Sequence, residues 1–136
     1  MSGILLLICQ NKMEKQIFWL ASYPKSGNTL LRFILISLFF TEDGVFNFKD
    51  SKFISQFEST INVIRNKSIF GNDFENIGDI NIFYKYILEL QTKKSLGFKE
   101  DFIFLKTHSG LFKINENHFT VVNNTRGIIY IIRDPR

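Results

Sequence analysis

The chain has 136 residues, of which 45% are hydrophobic and 22% charged, a length within the range of one domain and enough apolar side chain for a buried core. Its formal charge of +4 suits an anionic ligand, but no Lys/Arg run or basic aromatic platform marks a specific nucleic-acid surface. A single cysteine, Cys9, excludes an internal disulfide framework and a cysteine metal cluster, which points to a reducing, cytoplasmic setting.

Residues 4–9 are apolar but have no basic leader and are short for a signal-peptide core, and residues 30–40 are too short to span a bilayer. Residues 1–15 read as an amino-terminal tail that need not be native, with Met13 as a second candidate start, and residues 16–136 as part of one domain. Residues 17–21 carry the β-branched and aromatic content of a buried strand, and residues 30–40 are apolar apart from Arg32 and Ser37. Between them lies Ser22-Tyr23-Pro24-Lys25-Ser26-Gly27-Asn28-Thr29. Pro24 stops the strand, Gly27 permits a left-handed turn, and Asn28 or Thr29 can cap a helix whose free N–H groups favour an anion. This is not a Walker A loop, because the lysine precedes the glycine instead of following it.

Residues 41–50 read as a loop with exposed Phe46 and Phe48, and residues 51–67 mix apolar and polar positions at near-helical spacing. The spacing predicts a helix over residues 79–94, capped by Asp79 and stopped by Gly97, with Ile80, Phe83, Tyr84, Ile87, Leu88 and Gln91 on one side. Two further apolar runs end abruptly in polar groups. Phe102-Ile103-Phe104-Leu105 leads into Lys106-Thr107-His108, and Gly127-Ile128-Ile129-Tyr130-Ile131-Ile132 leads into Arg133-Asp134-Pro135-Arg136. Each reads as a strand buried on both faces, and in open α/β sheets ligands bind beyond the carboxyl ends of the strands. His118, in a polar stretch, reads as surface.

In these three segments, and in their order, the chain resembles the sulfotransferases that use 3′-phosphoadenosine 5′-phosphosulfate. Tyr23 to Thr29 is similar to their 5′-phosphosulfate loop, Lys106-Thr107-His108 to their Lys-Thr-His strand end, and Ile129 to Arg136 to the start of their 3′-phosphate motif. The resemblance implies an α/β/α three-layer sandwich with a largely parallel, P-loop-like sheet, incomplete at the carboxyl end, and an enzyme moving a sulfuryl group to a hydroxyl or amine acceptor without a metal.

It also implies roles. Lys25 stabilises charge on the leaving phosphate oxygen, and Ser26, Gly27, Asn28 and Thr29 hold the 5′-phosphate. Lys106 lies near the sulfonate, His108 is the general base, and Arg133 binds the 3′-phosphate through its planar fork. Leu30 stands where the family often has Trp, which removes a face for the adenine. The acceptor stays open among a small molecule, a saccharide, a lipid and a protein tyrosine, and the aromatic residues in the middle of the chain read as core ahead of acceptor-pocket lining. The matched 3′-phosphate motif stops part-way, so the chain reads as an amino-terminal fragment, inactive alone. Two rivals remain open: a magnesium-dependent kinase, for which Asp134 is the placed acidic ligand, and a noncatalytic anion-binding module.

Overall fold

The computed structural model describes residues 15–110 and 112–133; Asp134 and most of the amino-terminal tail lie outside the described residues. The chain folds as a mixed α/β structure around a parallel three-stranded sheet ordered β2-β1-β5. Here β1 is Ile17–Ser22, β2 is Ile103–Thr107 and β5 is Thr125–Ile131. A short hairpin of β3 (Lys113–Ile114) and β4 (Asn117–His118) forms a separate two-stranded sheet. Its turn residues Asn115 and Glu116 both adopt positive φ, the geometry that lets a two-residue turn match strand twist.

The central strand β1 is paired on both edges, Ile17 to Ala21 with Ile103 to Thr107 and Phe18 to Ser22 with Gly127 to Ile131. Its alternating residues therefore feed two cores. Ile17 and Trp19 enter one with Phe57, Phe70, Tyr84 and Leu105. Leu20 enters the other with Leu35, Ile36, Ile54 and Phe104. Period-two alternation in a strand buried on both faces produces this division. The second core is closed by α1 (Asn28–Phe39), which follows β1 directly.

Alongside β2, residues 54–57 act as a partial fourth strand. Gln56 bridges Lys106 in parallel, Lys106 N–H donates to the Ser55 carbonyl at 2.9 Å, and Phe57 N–H donates to the Lys106 carbonyl at 2.9 Å. The Arg32 guanidinium on α1 donates to the carbonyls of Ser51 and Ile54 and holds this segment in place. Partial burial pushes the Arg32 pKa down from its ordinary value.

Two sequence expectations are corrected. The single helix over residues 79–94 is broken into α4 (Ile80–Tyr86), a 3₁₀ turn (Glu89–Gln91) and α5 (Lys93–Leu96), after the shorter α2 (Thr60–Arg65) and α3 (Lys67–Phe70). The break sits at Thr92, which is extended and accepts from Ser95 N–H, while the Ser95 hydroxyl donates to the Glu89 carbonyl at 2.8 Å. Such local side-chain bonds compete with the helical ladder. The Asp79 cap and the Gly97 stop are both observed. The second correction concerns β5. It pairs only with β1 at the sheet edge, and Tyr130 is 61% exposed, so this strand is not buried on both faces.

Buried Gln91 joins the helical region to the sheet. Its backbone carbonyl accepts from Gln16 Nε2 at 2.8 Å, its amide donates to the Phe119 carbonyl, and its Oε1 accepts from Thr120 at 2.7 Å. Gln91→Leu is of similar volume but leaves the Phe119 carbonyl without its amide donor, while Thr120 keeps Thr125 at 3.1 Å. It should cost about 1–3 kcal/mol in urea denaturation, and an unchanged midpoint would show that the network does not hold the halves together.

Candidate functional site

The sheet register brings the three polar clusters to one edge. Ala21 pairs with Thr107 and Ser22 with Ile131, so the chain leaves β1, β2 and β5 at the same level. Direct contacts close the group: His108 Nδ1 lies 2.9 Å from the Ser22 carbonyl, and Arg133 Nη1 lies 3.4 Å from the Lys25 carbonyl.

The turn after β1 is tight. Ser26 N–H donates to the Tyr23 carbonyl, and both Lys25 (φ 66°) and Gly27 (φ 98°) adopt left-handed backbone. Glycine takes that conformation without strain, whereas Lys25 holds it at a cost of about 1–2 kcal/mol. Consecutive turns of this kind form concavities lined by N–H groups. The Lys25 side chain is exposed, as is Thr29, and Ser26 is half-buried.

Gly27, and neither Asn28 nor Thr29, occupies the cap position of α1. Asn28 is the first helical residue and is buried. Its amide donates to the Leu20 carbonyl and to Ser22 Oγ, each at 3.0 Å. The Asn28 side chain thus braces the turn from beneath, and what it can offer an anion is its backbone N–H, one of the helix's unpaired first donors.

His108 is exposed at the end of β2. A carbonyl only accepts, so its contact with Ser22 fixes Nδ1 as the protonated nitrogen and leaves Nε2 as a free acceptor in the neutral ring. Lys106 is half-buried, and its pKa is lowered, first by desolvation and next by the Arg32 charge, with Glu58 opposing. Thr107 is buried and turned inward, where its hydroxyl donates to Glu58 Oε1.

Glu58 carries no motif, and sequence reasoning missed it. It enters because residues 54–57 run beside β2, so the acid that follows them sits against that strand's end. Besides Thr107 it accepts from Ser109 Oγ at 2.9 Å, and its Oε2 is buried with no partner. The pairing of residues 54–57 is non-local, and no spacing rule reads it from sequence.

Among the described residues, no cluster of His, Cys, Asp and Glu could hold a metal, and no helix is long and apolar enough to cross a membrane. Compared with known proteins, the chain matches no family model, no curated protein and no solved structure.

The His108 geometry is directly testable. Nitrogen NMR shifts above the ring's pKa should report the Nδ1–H tautomer; the Nε2–H tautomer, or an even mixture, would break the assigned bond to Ser22.

Proposed function

We propose that this chain carries the donor half of a sulfotransferase site for 3′-phosphoadenosine 5′-phosphosulfate, on a P-loop-like α/β/α layered scaffold. The observation that carries this reading is the convergence of Lys25, His108 and Arg133 at one sheet edge, joined through the Ser22 and Lys25 carbonyls. Helical segments and two separate cores on opposite faces of the sheet support the layered arrangement.

The chemistry follows from these positions. The left-handed turn and the start of α1 present N–H donors to the 5′-phosphate, with the Ser26 and Thr29 hydroxyls beside them. His108 Nε2 takes the proton from the acceptor hydroxyl as its oxygen bonds to sulfur. The bond from sulfur to the bridging phosphate oxygen breaks, its electron pair stays on that oxygen, and 3′-phosphoadenosine 5′-phosphate leaves. Lys25, cationic and mobile, neutralises the charge arriving there, and Lys106 stands by the sulfonate. Arg133, already 3.4 Å from the turn, supplies a fork for the 3′-phosphate.

Calorimetry with 3′-phosphoadenosine 5′-phosphate tests this without requiring turnover. Binding should be detectable, and Lys25→Ala and Arg133→Ala should each weaken it about tenfold or more, the loss of one charge-assisted contact. Binding insensitive to both, or a preference for ATP with magnesium, would overturn the reading. Where sulfuryl transfer to an acceptor panel is measured, Lys25→Ala and His108→Ala should each lower turnover on the order of a hundredfold; near-normal turnover removes that residue from the chemistry.

A further inference from the structure

A cleft of about 410 Å³ is walled by Val63, Ile77, Ile80 and Phe83 and bounded by Glu58, Tyr84 and Ser109. Its size falls within the range of small-ligand sites. Three features of its chemistry are unusual together. The walls are apolar, its lining contains no lysine or arginine, and two buried oxygens at its boundary have no hydrogen-bond partner: Glu58 Oε2 and the Tyr84 hydroxyl. Tyr84 is only 2% exposed. Ser109 lies close enough to act on the phenol, yet makes no hydrogen bond of normal geometry with it; the Ser109 hydroxyl donates instead to Glu58 Oε1.

A carboxylate oxygen buried without a donor is costly, and a ligand that supplies donors recovers that cost. A hydroxyl brings one hydrogen. A primary ammonium brings three and a full charge, enough for Glu58 Oε2 and the Tyr84 oxygen at once. An anionic head meets the Glu58 charge, and the lining holds no lysine or arginine; the Lys106 charge, which interacts with Glu58, lies outside it.

We propose that this cleft is the acceptor site and that it takes an apolar amino alcohol, its ammonium on Glu58 and Tyr84 and its body against Val63, Ile77 and Phe83. As an acceptor site it rests on the sulfuryl-transfer reading; as an ammonium site it stands on the cleft alone. A protonated ammonium has no lone pair, so it anchors and does not react. The nucleophile is the hydroxyl of the same molecule, whose proton passes to His108 Nε2 as its oxygen bonds to sulfur and the bond to the bridging phosphate oxygen breaks. Ser109 borders the cleft and is the residue after His108 in the chain, and this is the link between the cleft and the base.

Equilibrium binding to the full chain tests this with phenylalaninol, 3-phenyl-1-propanol and 3-phenylpropanoate, which differ mainly in head charge. Phenylalaninol should bind at least tenfold more tightly than the uncharged alcohol, and the carboxylate most weakly. Glu58→Gln keeps an acceptor for Thr107 and Ser109 and should bring phenylalaninol down to the level of the alcohol. Ile80→Lys, at a position 54% exposed and tolerant of charge, should weaken phenylalaninol and strengthen the carboxylate, which keeps the test valid if Glu58→Gln fails to fold. Equal binding of the three compounds, or phenylalaninol binding unchanged in the folded variants, overturns the proposal. Failure here with intact binding of 3′-phosphoadenosine 5′-phosphate rejects only the amino alcohol. Loss of nucleotide binding with the ammonium preference intact rejects the donor reading and the acceptor role, and leaves the ammonium site.

Discussion

The double pairing of β1 is the constraint from which the rest of the molecule follows. A strand paired on both edges satisfies its backbone groups within the sheet, so both of its faces are free to be buried. Ile17, Trp19 and Leu20 are each 1% exposed or less, and they commit the chain to a core on each side of the sheet. Parallel pairing with β2 and β5 then forces all three strands to end on the same side. The meeting of Lys25, His108 and Arg133 is therefore a consequence of direction and register.

A sheet edge alone would leave these groups on loose loops. What organises them is a set of bonds to backbone carbonyls. Asn28 reaches back beneath the turn to Leu20, His108 is oriented by Ser22, and Arg133 touches Lys25. On the far side, Glu58 holds Thr107 and Ser109, the residues flanking His108. Positioning of this kind fixes a ring nitrogen and a charge before a ligand arrives, which lowers the ordering cost at binding.

The sequence made some of this legible and hid the rest for physical reasons. Strands at residues 17–22, 103–107 and 125–131 were readable because short apolar runs bounded by turn residues form buried strands whatever their neighbours do. The turn was readable because Pro24 and Gly27 have few other uses in such a place. The division of residues 79–94 was not, because Ile87, Leu88 and Gln91 keep apparent helical spacing while Thr92 and Ser95 divert the backbone. The exposure of β5 was also hidden: Ile128 and Ile129 have the composition of a central strand, and composition does not say whether anything lies against it. Glu58 was least legible, since its place depends on residues 54–57 pairing with β2 about fifty positions away.

The Arg133 contact has an energetic meaning of its own. At 3.4 Å it lies at the long end of hydrogen bonding, and the guanidinium is exposed, so the bond to the Lys25 carbonyl is weak. A strong buried pairing would have locked Arg133 away from any ligand. This bond instead keeps the guanidinium within reach of the turn, and on the proposed reading it is exchanged for phosphate oxygens, which make shorter, charge-assisted contacts. The same argument applies to Lys25. Its backbone is held in the left-handed region while its side chain stays in solvent, so the strain fixes where the stem begins and leaves the ammonium exposed beside the turn.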